Sequence, residues 1–301
     1  MDCYVETKFH VPVMLQEVVN YLEPAPGKII VDATTGTGGH SEIIAGRIYP
    51  GGRLICIDRD EASLAIAKSR LSAYRDSVAF VHSNFIDIDS ALSGLGVDKI
   101  DAIVFDLGMS TFQLDDSSRG LSFQKEGPLD MRFDKSAYIS AYDLVNNLNE
   151  DELSQVLWTF GQERWHNRIA HMVVESRHQQ PIATTHQLRD IVVRAIPARF
   201  RHFRIHPATR TFQAIRIAVN RELEAVEAGL NKTVGLLKEG GRICVISFHS
   251  LEDRIVKLRF KEFAQQNKIR IITPKPLVPS QEEIRANPAS RSAKLRVAQR
   301  I

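Results

Sequence analysis

A glycine-bearing turn between two apolar runs constrains this chain most. Ile29-Ile30-Val31 leads into D-A-T-T-G-T-G-G-H, Asp32 to His40, and the next apolar run, I-C-I-D, closes on an acid at Asp58. A strand that turns through glycines into a helix, followed by an acid ending the next strand, is the local plan of an α/β site for a nucleoside-bearing cofactor. Gly36, Gly38 and Gly39 allow close backbone approach, and the carboxylate can accept ribose hydroxyls.

The order G-T-G-G-H differs from the G-x-G-x-x-G of dinucleotide sites, in which a pyrophosphate rests on a helix N-terminus. Asp32, just upstream, would repel a pyrophosphate and attract the cationic amino group of S-adenosylmethionine. The residues therefore favour a methyl donor over a nicotinamide or flavin, with a ligand-free glycine turn as the bland alternative.

Short apolar runs alternate with helical patterns as far as Leu107: a helix over 13–22, a strand over 29–32, a helix over 40–48, a strand over 53–58, a helix over 62–74, a strand over 78–82, a helix over 86–92 and a strand over 102–107. That rhythm predicts a parallel sheet covered on both faces, with ligand beyond the strand C-terminal ends. From Gly108 to about His206 no strand is evident. Asn149 with Glu152, and Thr184 with Gln187, read as capping boxes, and Ile169, Met172 and Val173 share one side of a helix between them. The rhythm then resumes with one long helix from Phe212 to Leu237 ended by Gly240-Gly241, a strand over 242–248, a helix over 251–263, a late edge strand over 269–273 and a final strand near 293–297. The predicted architecture is a Rossmann-like core split into 1–107 and 207–301 around a loop and helical insertion domain, 108–206.

The 301 residues, 25% charged and 44% hydrophobic, suit an ordered protein with a sizeable core. Cys3, Cys56 and Cys244 are too few for a disulfide framework, which points to a reducing compartment. The N-terminal M-D-C-Y-V-E-T-K has no signal-peptide core and no apolar run is long enough to span a bilayer, so a cytoplasmic protein without membrane contact is expected. The net charge of +3 is small, but it is unevenly spread. Seven arginines lie between Arg189 and Arg216 against the single acid Asp190, with His202 and His206 among them, and Arg285, Arg291, Lys294, Arg296 and Arg300 follow Ile284 with no acid. Such runs serve either as a nucleic-acid face or as solvated and internally paired surface.

Asp106, where D-A-I-V-F-D-L-G leaves its strand, is placed to hold an amino group, with Gly108 permitting close approach. The following loop, through G-P-L-D-M-R-F-D, must be ordered by Phe112, Leu121, Phe123, Leu129, Met131 and Phe133; it reads as a substrate wall or as a plain crossover. Thr209 or Thr211 can cap the long helix. Ser247 and His249 lack the G-x-S-x-G elbow of acyl transfer. His166, His171 and His178 have poor one-face spacing and no H-E-x-x-H or paired-cysteine element is present, so no metal site is expected, with a carboxylate-only magnesium site left open.

Nine ordered blocks closely resemble one family, the bacterial small-subunit ribosomal RNA cytosine-N4 methyltransferases. They are H-V-P-V-M-L-Q-E, D-A-T-T-G-T-G-G-H-S, I-D-R-D, D-L-G-M-S-T-F-Q-L-D-D, R-G-L-S-F, G-P-L-D-M-R, H-P-A-T-R-T-F-Q-A-I-R-I-A-V-N, G-G-R-I-C-V-I-S-F-H-S-L-E-D-R-I-V-K and N-P-A-S-R-S-A-K-L-R, spanning His10 to Arg296. The resemblance implies a class I methyltransferase fold and methyl transfer from S-adenosylmethionine to the exocyclic N4 of one cytidine in the decoding region. It implies cofactor contacts at Gly38, Gly39, His40, Asp58, Phe85, Asp106 and Gln113, with Asp58 on the ribose and Phe85 and Asp106 on the adenine side. Asp106 thus has a cofactor role competing with the amino-group role read from its position. The chain departs from the family in M-S-T-F-Q for V-S-S-P-Q, where Phe112 removes a fixed φ before Gln113.

Cytosine N4 is a poor nucleophile whose lone pair is delocalised, so alignment and a hydrogen-bond acceptor are needed rather than a strong base. Asp130, Asp115 and Asp116 are the candidate acids for this work, and Arg132, Arg210 and Arg216 the candidates for phosphates. The expected partner is small-subunit ribosomal RNA or the 30S particle, not DNA, with monomer and homodimer both open. A non-catalytic ribosome assembly factor on the same fold is the alternative from another class. A nicotinamide-dependent oxidoreductase and a DNA or small-molecule methyltransferase stand behind it.

Overall fold

The computed structural model describes residues 12–201 and 205–301. Cys3 and His10, at the start of the first matching block, and His202 and Arg204 of the arginine-rich run lie outside the described residues. The chain folds as two compact units, one of residues 1–110 and 223–301, the other of 111–222.

The first unit begins with α1 (Leu15–Leu22), β1 (Ile29–Asp32), α2 (Gly39–Ile48), β2 (Arg53–Asp58), α3 (Glu61–Arg70), β3 (Val78–His82), α4 (Ile88–Ser93) and β4 (Ile100–Asp106). The second unit follows with α5 (Thr111–Asp115), α6 (Ala141–Asn147), α7 (Glu150–Gly161), α8 (His166–Gln179), α9 (Thr185–Ala195) and α10 (Thr209–Asn220). The chain then re-enters the first unit through α11 (Glu222–Leu236), β5 (Leu237–Ser247), α12 (Ser250–Gln265), β6 (Ile269–Ile271), α13 (Gln281–Ala286) and β7 (Lys294–Arg300).

The seven strands form one sheet in the order β3-β2-β1-β4-β5-β7-β6, parallel through β5, with β7 antiparallel to both β5 and β6. Successive residues of each strand enter opposite cores, as a pleat requires. Val31, Ile55, Ile57, Ile103 and Phe105 pack with Leu92 of α4, Leu230 of α11 and Phe260 of α12. Ile30, Leu54, Cys56, Ala102 and Val104 pack with Leu22 of α1 and Ile44 and Ile48 of α2. Helices on both faces of a mostly parallel sheet give the doubly wound arrangement that the apolar runs predict.

The second unit is helical; among its described residues it contributes only the bridge of Pro128 with Thr184 to β pairing. Both expected capping boxes form: Asn149 with Glu152 opens α7, and Thr184 with Gln187 opens α9. A third, Ser140 with Asp143, opens α6. Leu129 and Met131 anchor the loop before α6, whereas Phe112, expected to share that work, is exposed. Phe123 instead stacks on His206, with ring centroids 4.6 Å apart, and meets Phe212 edge-on.

Four expectations about helices are corrected. The helix read over 62–74 stops at Arg70 and a 3₁₀ segment, Ser72–Ser77, follows. The single helix read from Phe212 to Leu237 is two, broken where Arg221 adopts φ 48°. Its apolar stripe is continuous in sequence, but Phe212 and Ile215 belong to the second unit, while Val226, Leu230 and Val234 enter the first unit's core. Gly240-Gly241 does not end that helix. It lies inside β5, at an irregularity where pairing with β4 shifts between Ile100 and Ala102. Neither Thr209 nor Thr211 caps α10: Ala208 is the N-cap, without a side-chain bond, and among the described residues the buried Thr211 hydroxyl has no partner.

Candidate active site

Sheet register brings the acids of the first unit together. Asp32 of β1 pairs with Cys56 of β2 on one side and with Val104 of β4 on the other, so Asp58 and Asp106 each stand two residues further along their strands. Three carboxylates therefore occupy the C-terminal ends of three adjacent strands.

The glycine turn leaves β1 just beneath them. Gly36 and Gly38 have φ 52° and 84°, a region costly for other L-residues. Gly38 is the N-cap of α2, and a Cβ there would lie 3.2 Å from the Cβ of Ala67. The Gly36 amide donates to Asp58 Oδ2 at 2.7 Å, while the Asp60 amide donates to Asp58 Oδ1 at 2.8 Å. Gly39 faces Pro12, its added Cβ falling 3.3 Å from that ring.

Each acid has a different environment. Asp32 is buried and accepts a hydrogen bond from the Ser41 hydroxyl at 2.6 Å and from the Thr34 amide at 3.2 Å. Burial pushes its carboxyl up to about 6, against the lowering effects of His40 and of the Ser41 bond. Burial also raises Asp58, partly offset by the amides of Asp60 and Gly36. Asp106 is pushed up to about 7, mainly by burial and further by the charge of Glu252, against the Gly108 amide. Among the described residues its Oδ1 is buried without a hydrogen-bond partner, an unsatisfied acceptor.

His40 is buried at the start of α2. Its Nε2 lies 3.0 Å from the carbonyl oxygen of Val13, and because a carbonyl only accepts, Nε2 carries the proton. Nδ1 lies 3.7 Å from Asp106 Oδ2. Burial lowers the His40 pKa, with Asp32 acting in the opposite direction. Phe85 is buried, edge-on to Phe105 at 5.5 Å, and fits against Gly229 of α11, where a Cβ would stand 2.8 Å from its ring.

The arrangement suits a cationic, ribose-bearing ligand: a glycine cradle, a strand-end carboxylate beside it, and a buried unpartnered acceptor on the neighbouring strand. The chemistry of this donor set fits S-adenosylmethionine. Sequence reasoning did not foresee Thr34, whose hydroxyl accepts from the Asp106 amide at 2.6 Å, or Ser41. It also missed Phe248, whose ring lies 2.6 Å from any Cβ added at Gly108. Ser41 and Phe248 stood inside matching blocks, but neither carried an isolated chemical signal.

The other expected site residues belong to the second unit. Gln113 is buried in α5. Asp130 is chelated by Arg132, Nε to Oδ1 at 2.8 Å and Nη2 to Oδ2 at 2.7 Å. Burial would raise the Asp130 carboxyl, but those bonds and the Arg132 charge hold it below the usual carboxylate range. Between them Met131 has φ 61° and is fully buried, its carbonyl accepting from Asn220 Nδ2 at 2.8 Å. The other side of Asn220 accepts from the Phe133 amide at 2.9 Å, so α10 fixes this turn from both sides. Asp116 caps a 3₁₀ turn by accepting from the Ser118 hydroxyl and amide, and the hydroxyl bond leads in lowering its pKa. Asp115 is exposed, 3.7 Å from Lys125.

Arg132 also donates to the Ala137 carbonyl at 2.6 Å. Arg216 closes its fork on the buried Glu222, with bonds of 2.8 and 3.0 Å. Arg210 is exposed, donating to the Gln162 carbonyl at 3.2 Å. The C-terminal basic run is likewise partly internal: Arg296 and Lys294 of β7 both reach Asp253, and Arg300 donates to the Lys268 carbonyl.

Comparison with known proteins places this geometry. The chain is 48% identical over 308 residues to a Ribosomal RNA small subunit methyltransferase H of Pelobacter propionicus, covering 97% of this chain and 98% of that protein. A protein of the same name from Clostridioides difficile is 46% identical, with 97% and 99% covered. One from Sulfurihydrogenibium is 48% identical, with 97% and 99% covered. The profile of the MraW methylase family matches residues 7–301, and with a class I methyltransferase fold and relatives this similar along nearly their whole length, the chain belongs to that family.

Proposed function

We propose that this protein transfers a methyl group from S-adenosylmethionine to the exocyclic N4 of a cytidine in the decoding region of small-subunit ribosomal RNA, acting in the cytoplasm on the RNA or the 30S particle. The observation that carries the reading is the set of three strand-end acids around the glycine turn, with the Asp106 oxygen left unpartnered. The relatives' printed name supplies the substrate class. The split unit of 1–110 and 223–301 is assigned to the donor, and the unit of 111–222, which takes in residues 207–222 that the sequence pattern assigns to the donor core, to substrate recognition.

When bound, S-adenosylmethionine supplies an electrophilic methyl group on a sulfonium. Gly38 and Gly39 would admit its methionine part, with His40 fixing the start of α2; Asp58 would accept from the ribose hydroxyls, Phe85 and Asp106 would surround the adenine side, and Gln113 is a further expected cofactor contact. In their ionised forms Asp32 and Asp58 would favour the donor's positive charge. N4 needs an acceptor that localises its lone pair, and no strong base, because its proton leaves readily once the nitrogen is alkylated. Asp130, kept ionised by Arg132, has the electrostatics for that role. Asp116, which caps a 3₁₀ turn, and Asp115, exposed 3.7 Å from Lys125, are the other candidate acids. Arg210 is the accessible one of the three arginines assigned to phosphate, while Arg132 and Arg216 act through Asp130 and Glu222.

The test is tritiated methyl transfer by the purified chain to small-subunit RNA and particles from cells lacking this protein, followed by nucleoside mass analysis. N4-methylcytidine is expected. Methylation on a ring carbon or ribose overturns the regiochemistry, and donor binding without transfer to any particle assigns the chain to assembly instead.

A further inference from the structure

The second unit carries a surface that this reading does not use. Arg164 and Trp165 lie between α7 and α8, and Arg199 and Phe200 in a 3₁₀ turn, Ala198–Phe200, beyond α9. The Trp165 and Phe200 rings are 5.3 Å apart, centroid to centroid. The Arg164 guanidinium carbon lies 5.3 Å from one centroid and 5.6 Å from the other, and that of Arg199 lies 4.8 Å from Phe200. Guanidinium and aromatic groups thus alternate, on residues that are exposed or half-buried.

The contrast with the other arginines of this unit is informative. Arg132, Arg189 and Arg216 close on carboxylates. Among the described residues, Arg164 and Arg199 have neither an ion pair nor a hydrogen bond; the neighbouring acid, Glu163, is buried and accepts from the Trp165 amide at 2.9 Å. A ring face positions a guanidinium flat without consuming its N–H donors, which remain available edge-on. Two oriented cations with unspent donors, interleaved with two rings, match the requirements of an unpaired polynucleotide: phosphates for the donors, base faces for the rings and guanidinium planes. A duplex offers the phosphates but keeps its base faces stacked.

We propose that Arg164, Trp165, Arg199 and Phe200 form a docking surface for a single-stranded RNA segment. The proposal rests on the RNA-substrate reading above, and it specifies that the strand held here is unpaired.

The test is equilibrium binding of the full chain to a short single-stranded RNA and to the same sequence as a duplex, over a range of salt and without methyl donor. Trp165→Ala should weaken single-strand binding roughly tenfold and leave duplex binding within about twofold. Arg164→Gln with Arg199→Gln, both on exposed side chains, should weaken both ligands and reduce the single-strand salt slope by about one to two. This pair keeps the test valid if Trp165→Ala fails to fold. Calorimetry with S-adenosylmethionine should give wild-type affinity for the folded variants. In methyl transfer, the KM for RNA should rise with kcat unchanged.

Unchanged single-strand affinity and salt slope in the arginine pair overturns the proposal. If those variants lost affinity only for the protein-bearing particle, the surface would belong to a protein contact. Selective loss of single-strand binding in a chain that methylates no RNA would sink the functional reading and leave this one standing.

Discussion

The Gly36 amide donates to Asp58 Oδ2 at 2.7 Å, so the turn and the strand-end acid that mark the cofactor site are joined to each other before any ligand arrives. The carboxylate fixes a backbone that would otherwise be free to flex, and still has lone pairs to accept from a ribose.

This dual use makes Asp58→Ala more damaging than loss of a ligand contact alone. The amides of Gly36 and Asp60 would both lose their acceptor, at about 1–3 kcal/mol for each group left unsatisfied. Calorimetry with S-adenosylmethionine should show affinity reduced by at least about thirtyfold, with lower stability in urea. Asp58→Asn, which keeps one acceptor oxygen, should fall between. Wild-type stability in Asp58→Ala would show that the turn holds without its acid.

Asp106 predicts a pH dependence. In the unfolded chain its carboxyl loses its proton near 3.8, and in the folded protein near 7, because it is buried. Between those values the folded state binds more protons than the unfolded state, so stability falls as pH rises through the window and the loss is complete above it. Asp106→Asn stays neutral throughout. It should raise the stability of the ligand-free protein near pH 8 by roughly 2 kcal/mol and change it little near pH 4. Urea unfolding at the two pH values checks this; parallel curves for the two proteins would refute it. The same substitution should weaken donor binding.

The strands and their acids were legible because each ends an apolar run, and a parallel sheet places all such ends together. The capping boxes at Asn149 and Thr184 were legible because their chemistry is local. The break at Arg221 was not, since an arginine at positive φ leaves no composition signal and the apolar period runs through it. The pairing of Arg216 with Glu222, and of Arg296 with Asp253, was hidden for a related reason: charge runs show sign, and only the folded chain shows which charges are internally matched.

Gly161 decides how closely α7 and α10 cross. A Cβ there would stand 2.6 Å from the Arg210 carbonyl oxygen and 3.1 Å from the Ala214 Cβ. Ordinary helix propensity favours alanine over glycine by about 1 kcal/mol, but overpacking against backbone costs about 1–3 kcal/mol. Overpacking should win, because a carbonyl on a packed helix has little freedom to retreat. Gly161→Ala should therefore lower stability by about 1–2 kcal/mol in chemical denaturation. A gain instead would mean that the two helices separate easily.

Arg216 and Glu222 flank the break at Arg221, and their bidentate pair is largely removed from water, with side chains 13% and 6% exposed. Removing one partner leaves a buried charge without compensation, which costs about 3–5 kcal/mol, whereas replacing both with apolar groups of similar volume is often neutral. Arg216→Met should accordingly destabilise by roughly 3 kcal/mol, and Arg216→Met with Glu222→Leu should recover most of that. Arg216→Lys keeps the charge but loses the fork, so it should fall between. If Arg216 contributed chiefly as a phosphate contact, the double variant would regain stability without regaining RNA affinity. Full recovery of both assigns the pair to the helix break, and failure to recover either would show that the arginine has work beyond its pairing with Glu222.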